Sequence, residues 1–70
     1  MFRTQYKLIN TNNPNSYGNN CIGVVSTFQF DGELFYFDKM RSSKVYSISV
    51  SSDLMLVQTK NTLYTFKKQG

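Results

Sequence analysis

Aromatic rings with hydroxyl tips and basic side chains are the residues of this chain best suited to chemistry. The sequence has five tyrosines, eight lysines and arginines, and a formal net charge of +4 at pH 7. A ring can stack on a nucleobase while a cation meets its phosphate, so this supply favours an anionic partner. The same lysines also fit a purely solubilising role at the edges of a small β-sheet. The residues concerned are Tyr6, Tyr17, Tyr36, Tyr46, Tyr64, Arg3, Lys7, Lys39, Arg41, Lys44, Lys60, Lys67 and Lys68.

Catalytic arrangements are poorly supplied by contrast. The chain contains no histidine, so neither a Ser-His-Asp triad nor a Cys-His pair can form. Ser43 beside Lys44 is formally a Ser-Lys pair, but no third group is in place to orient it. The four acidic residues are dispersed, and the four glycines are scattered instead of forming a phosphate-binding loop. We therefore expect a protein that is not an enzyme and that has no cofactor.

Length and cysteine content limit how the fold can be stabilised. Seventy residues allow one domain, whose single core supplies only about 3–5 kcal/mol. Cys21 is the only cysteine, so an internal disulfide is excluded and a metal cage is poorly supplied. We predict a small buried thiol in a strand for Cys21, and a homo-oligomer as the most economical route to stability. One cysteine, no signal-type N-terminus and short apolar runs predict a cytoplasmic protein with no membrane partner.

Period-2 alternation dominates the sequence, and no window has a helical stripe. The predicted fold is all-β: an antiparallel meander of about six strands that forms a curled sheet or a small barrel. It occupies residues 1–70 as a single domain, with a flexible Asn-rich loop at 10–20. A short helical turn at 38–43 is the local alternative. The strands are predicted at 2–8, 21–30, 33–40, 44–50, 54–59 and 62–67.

Two hairpins are the best-defined parts of this prediction. Asp31-Gly32 is a type I′ signal, and a two-residue turn there would place Phe28 opposite Phe35. One face would then carry an aromatic slab suited to a core, namely Val24, Phe28, Phe30, Phe35 and Phe37.

The second hairpin would turn at Lys60-Asn61, so that Thr59 faces Thr62 and Val57 faces Tyr64. Its other face still carries Leu54, Leu56 and Leu63. One sheet cannot cover both of its own faces in so short a chain. The excess apolar surface predicts a closed barrel or a subunit interface.

The C-terminal pattern Ser43-x-Val45, then Val57-x-Thr59-x-Asn61-Thr62-x-Tyr64, resembles a hairpin of small β-rich proteins of bacteriophages and mobile elements. Some of these are counter-defence sponges, which oligomerise and sequester cyclic nucleotide signals of host immune systems such as Thoeris and CBASS. The resemblance covers roughly the last third of the chain. It implies a non-catalytic phage-type protein that binds a cyclic nucleotide or a similar anionic small molecule.

The ligand-binding residues predicted on this basis combine cationic, hydroxyl, amide and aromatic groups: Arg41, Lys44, Tyr46, Thr59, Asn61, Thr62 and Tyr64. Asn61 and Thr62 would lie at the hairpin tip, where an amide can bond a base edge or ribose and a hydroxyl a phosphate. A purely conformational role suits the same residues, because asparagine tolerates positive φ and paired threonines favour strands. Two other functions stay open: an inhibitor that binds a host defence protein, and a nucleic-acid-binding module of the OB or SH3-like type.

Overall fold

Segments in which apolar and polar residues alternate form strands in the computed structural model, which describes residues 4–12 and 20–69. The elements whose bounds it defines are seven strands of one antiparallel sheet, in the order β4-β3-β2-β1-β7-β6-β5. They are β1 (Gln5–Thr11), β2 (Val25–Asp31), β3 (Leu34–Phe37), β4 (Met40–Arg41), β5 (Val45–Ser51), β6 (Leu54–Thr59) and β7 (Leu63–Gln69). The predicted all-β fold is confirmed, with a curled sheet in place of a closed barrel. Among the described residues no helix is long and apolar enough to cross a membrane.

The sheet curls at β2, which pairs with β1 along its first half and with β3 along its second half. Its first residues pair with β1, as Thr27 does with Gln5, and its last residues pair with β3. The two edge strands, β4 and β5, are consecutive in the chain. The link between them stays close to β3, since Ser42 N donates to Phe35 O at 3.0 Å and Val45 N donates to Glu33 O at 2.7 Å. The end of β4 and the start of β5 therefore lie at the same corner of the molecule.

The core lies on the concave face and is organised around Phe66, which is fully buried on β7. Its ring centroid lies 4.9 Å from that of Phe37, 5.4 Å from Phe28 and 5.6 Å from Phe35. The predicted aromatic slab is confirmed except at Phe30, which faces the same way but is 51% exposed. The other buried apolar residues are Leu8, Cys21, Met40, Met55, Val57 and Tyr64.

The register of the central hairpin differs from the prediction. Asp31 pairs with Leu34 and Phe28 with Phe37, so the turn residues are Gly32 and Glu33 in place of Asp31 and Gly32. Gly32 has φ +63 and Glu33 has no positive φ, which fits a type II′ turn better than type I′. When the turn moves by one residue, each residue of β2 pairs with a residue two positions further along β3. The faces are therefore unchanged, because side chains alternate with period two.

Three predicted strand boundaries were wrong. β1 continues through Asn10 and Thr11, because these residues pair with β7 after a bulge at Ile9. Cys21 is buried as predicted, but it lies in a turn in which Val24 N donates to Cys21 O at 3.0 Å.

The predicted strand at 33–40 is interrupted at Asp38 (φ 56), where a tight turn creates β4 and brings the number of strands to seven. The alternative helical turn at 38–43 is replaced by this turn and strand. Most of the predicted Asn-rich loop, 13–19, and the first residues of the predicted N-terminal strand lie outside the described residues.

Candidate functional site

The turn between β6 and β7 is organised by the side chain of Thr59. Its hydroxyl donates to Thr62 O at 2.8 Å and accepts from Thr62 N at 3.1 Å, while Thr59 N donates to Thr62 O at 2.8 Å. Both threonines are buried. The predicted turn at Lys60-Asn61 and the pairing of Val57 with Tyr64 are confirmed. The buried hydroxyl closes the turn so that the two residues at its tip project outward.

This tip packs against the link that precedes β5. Lys60 N donates to Lys44 O at 2.9 Å, and the side-chain Nδ2 of Asn61 donates to Ser43 Oγ at 3.1 Å. We call Ser43, Lys44, Lys60 and Asn61 the hairpin-tip cluster. It brings together the backbones of two lysines, an amide and a hydroxyl from segments that are distant in sequence. Ammonium, amide and hydroxyl groups bind phosphate and sugar oxygens.

The electrostatics of the hairpin-tip cluster are dominated by its two lysines. Glu33 Oε1 lies 4.0 Å from Lys44 Nζ, and both side chains are more than half exposed. An exposed pair of this kind contributes little to stability, about 0–1 kcal/mol. Lys60 has no carboxylate oxygen within 4.0 Å in the part of the chain that the structure describes. The cluster therefore keeps a net positive charge at the surface.

The seven predicted ligand-binding residues do not form one surface. Lys44 and Asn61 meet in the hairpin-tip cluster, while Thr59, Thr62 and Tyr64 lie in the interior. Tyr64 packs edge-on to Phe35, with ring centroids 5.2 Å apart. Thr59 and Thr62 are hydrogen-bonded to each other, an arrangement that fits the conformational role considered for them.

Arg41 and Tyr46 are the remaining predicted residues, and both are exposed. Arg41 is on β4, where it pairs with Tyr36 of β3, and it lies outside the hairpin-tip cluster. Tyr46 lies two residues beyond Lys44, at a bulge between β5 and β6, and is 60% exposed. Ser43 and Lys60 were not among the seven predicted ligand-binding residues. Lys60 was noted as one of the basic residues that favour an anionic partner, and Ser43 as part of the C-terminal pattern; the structure adds both to the site through their contacts with Asn61 and Lys44.

A second surface consists of apolar side chains on the convex face of β6 and β7. Leu54, Leu56 and Leu63 are each about 40% exposed. They alternate with the buried Met55 and Val57, and their cross-strand neighbours on β7 include Thr65 and Lys67. The predicted double-sided hairpin is thus confirmed. Its outer face remains uncovered by any other part of the described chain.

Groups for metal or thiol chemistry are sparse. Within residues 4–12 and 20–69 there is no set of three His, Cys, Asp or Glu residues placed to hold a metal ion. Cys21 is a free buried cysteine. Burial raises the pKa of its thiol, and the negative charge of Asp38 raises it further. The thiol is therefore protonated at neutral pH, which makes it a poor nucleophile.

Comparison with known proteins returned no match: no family model, no curated protein and no solved structure resembles this chain at a significant level.

Proposed function

We propose that this protein is a non-catalytic binding protein that captures a small phosphorylated ligand at the hairpin-tip cluster. The observation that carries the proposal is the hydrogen bond from Lys60 N to Lys44 O, at 2.9 Å. It holds two lysines side by side at the surface, although they are far apart in the sequence. Like charges are costly to hold together, and an anion between them removes that cost.

The chemistry of the cluster fits a phosphate ester better than a simple carboxylate. Each ammonium group offers three donors on a flexible stem, and the Ser43 hydroxyl adds a donor and acceptor close by. Glu33 lies at the limit of an ion pair with Lys44 and can be displaced by a phosphate at little cost. Tyr46 offers an exposed ring on which a base can stack.

Cyclic nucleotides are the ligand class to test first, because the resemblance of the C-terminal hairpin to sponge proteins implies them. In that role the protein sequesters a signal without converting it, as a phage counter-defence protein does. The exposure of Tyr46, two residues after Lys44 in the chain, supports a ligand that combines a base with a phosphate.

The test is isothermal titration with a panel of cyclic mononucleotides, cyclic dinucleotides and inorganic phosphate, preceded by native mass spectrometry of freshly purified protein. We expect one cyclic nucleotide to bind, and Lys44→Ala and Lys60→Ala each to weaken its affinity at least about tenfold, since each charged hydrogen bond contributes about 1.5–3 kcal/mol. Lys67→Ala on β7 removes the same charge outside the cluster and serves as the matched control. Absence of binding to the whole panel would reject the proposal, as would equal loss in the control.

A second candidate function is supported by the uncovered leucines Leu54, Leu56 and Leu63. An apolar convex face suits an inhibitor that binds another protein, such as a host defence protein. Leu56→Lys would abolish such binding and leave nucleotide affinity unchanged. A nucleic-acid-binding module is the third function, and it predicts an affinity for single-stranded DNA that falls steeply with salt concentration.

A further inference from the structure

We propose that the free edge of β5 pairs with the β5 edge of a second copy, forming a symmetric antiparallel dimer with a continuous sheet. β5 (Val45–Ser51) pairs with β6 on one side only. From Tyr46 onward, β5 has no backbone hydrogen bond to any described residue outside β6. Every residue from Tyr46 to Ser51 is exposed. A strand edge of this kind presents unpaired N–H and C=O groups and is a template for a further strand.

The two edge strands of the sheet differ in length and in charge. The β4 edge is only two residues long and carries Arg41, and both features discourage pairing. The β5 edge is seven residues long and contains no charge and no proline. Protection is confined to its start, where Val45 N donates to Glu33 O and Tyr46 forms a bulge, and Ser47–Ser51 are regular. In a chain of net charge +4, a strand without charged side chains lets two copies approach with no like charges facing each other between Val45 and Ser51.

The side chains of β5 identify a second copy as the partner. Ile48 and Val50 face the same side as the core, opposite Val57 and Met55, yet they are 40% and 67% exposed. An antiparallel pairing centred on Ser49 would place Ile48 of each copy opposite Val50 of the other. It would also place Ser47 opposite Ser51 on the convex face. The strand is therefore complementary to itself in this register.

The charges at the two ends of β5 select the antiparallel orientation. Lys44 precedes the strand, and Asp53 follows it in the turn to β6. Antiparallel pairing brings Lys44 of each copy towards Asp53 of the other, whereas parallel pairing brings like charges together. The hairpin-tip cluster lies just outside the seam. Lys44 belongs to this cluster, so the Asp53 of a second copy would border the proposed ligand site.

The test is the mass of the full chain in solution, measured by sedimentation velocity over a range of concentrations. We expect the wild type to sediment at twice the chain mass of 8.1 kDa. Ser49→Lys and Ser49→Glu should each be monomeric, because identical charges would meet at the symmetry axis. An equimolar mixture of the two variants should restore a dimer, which shows that neither substitution acts by unfolding the chain.

Gln58→Lys is the matched control, because it adds the same charge on the neighbouring strand but away from the edge. It should remain dimeric. A monomeric wild type would overturn the proposal, as would a Ser49→Lys variant that stays dimeric. Dissociation by Leu56→Lys alone would place the interface on the convex leucines and reject the β5 seam.

The nucleotide panel applied to monomeric Ser49→Lys separates this inference from the proposed function. A dimeric wild type that binds no nucleotide would reject only the ligand. A monomeric wild type that binds one would reject only the seam.

Discussion

The side-chain amide of Asn61 donates a hydrogen bond to the hydroxyl of Ser43 at 3.1 Å, across 18 residues of sequence. With the backbone bond from Lys60 to Lys44, it fastens the tip of the last hairpin to the start of β5. The two lysines of the candidate site are held next to each other by these two bonds. The site therefore depends on a tertiary contact between two polar segments, each of which could otherwise be solvated separately.

The Asn61–Ser43 contact should be measurable as a coupling energy. Asn61→Ala, Ser43→Ala and the double variant form a cycle in which we expect a coupling of about 0.5–1 kcal/mol, typical of an exposed hydrogen bond. Urea denaturation monitored by circular dichroism measures each free energy of unfolding. The cycle of Asn61→Ala with Ser47→Ala, which lies further along β5, should have no coupling. Equal coupling in both cycles would contradict the assignment.

Removing the hydroxyl of Thr59 should destabilise the whole protein. Thr59→Val preserves shape but leaves the buried N–H of Thr62 without its acceptor, which costs about 1–3 kcal/mol. Thermal and urea unfolding measure the loss. The control is Thr65→Val on the convex face of β7, which should change the free energy of unfolding by less than about 0.5 kcal/mol. Equal losses would mean that the hydroxyl of Thr59 is not essential to the turn.

Phe66 should be the least replaceable side chain of the core. Phe66→Ala should cost about 3–5 kcal/mol, which equals the whole stability available to a domain of this size, so the variant should be unfolded. Phe66→Leu should fold with a lowered melting temperature. Phe30→Ala removes the same ring from a half-exposed position and should lose much less. A folded, cooperative Phe66→Ala variant would show that the core is organised differently.

Stability should fall at high pH because of Cys21. Its folded-state pKa is raised above the ordinary value of 9.0, first by burial and then by Asp38. Above pH 9 the thiol of the unfolded chain loses its proton while the folded one retains it, so the free energy of unfolding decreases as pH rises towards the folded value. The difference in stability between wild type and Cys21→Ala, measured against pH, isolates this effect from the titration of lysine and tyrosine. If the difference in the free energy of unfolding between wild type and Cys21→Ala stayed constant above pH 9, the thiol would not be the cause of the loss.

Gly32 should be required for its backbone conformation alone. At φ +63 an L-residue is strained, yet a Cβ there would meet no atom within 4 Å. Gly32→Ala should therefore cost about 1–2 kcal/mol without any steric clash. A synthetic chain with D-alanine at position 32 should be as stable as the wild type. Equal destabilisation by both enantiomers would indicate that the added methyl group itself is harmful.

The sequence by itself determined the all-β class, the alternation of faces and the turn of the last hairpin, because these depend on contacts between neighbouring residues. It placed Phe28, Phe35 and Phe37 on the core face even though the pairing moved by two residues, since alternation is unaffected by an even shift. It also indicated Lys44 and Asn61 as candidates for binding a ligand.

Only the tertiary structure decided the strand order and the composition of the candidate site. Asn10 and Thr11 extend β1 despite their turn preference, because their backbone groups find partners on β7. Thr59 and Thr62 proved to be buried, whereas Ser43 joined the site through a hydrogen bond from Asn61. The exposure of the β5 edge likewise follows from where the sheet ends. Such contacts join residues far apart in sequence, and local pattern carries no information about which distant segments will meet.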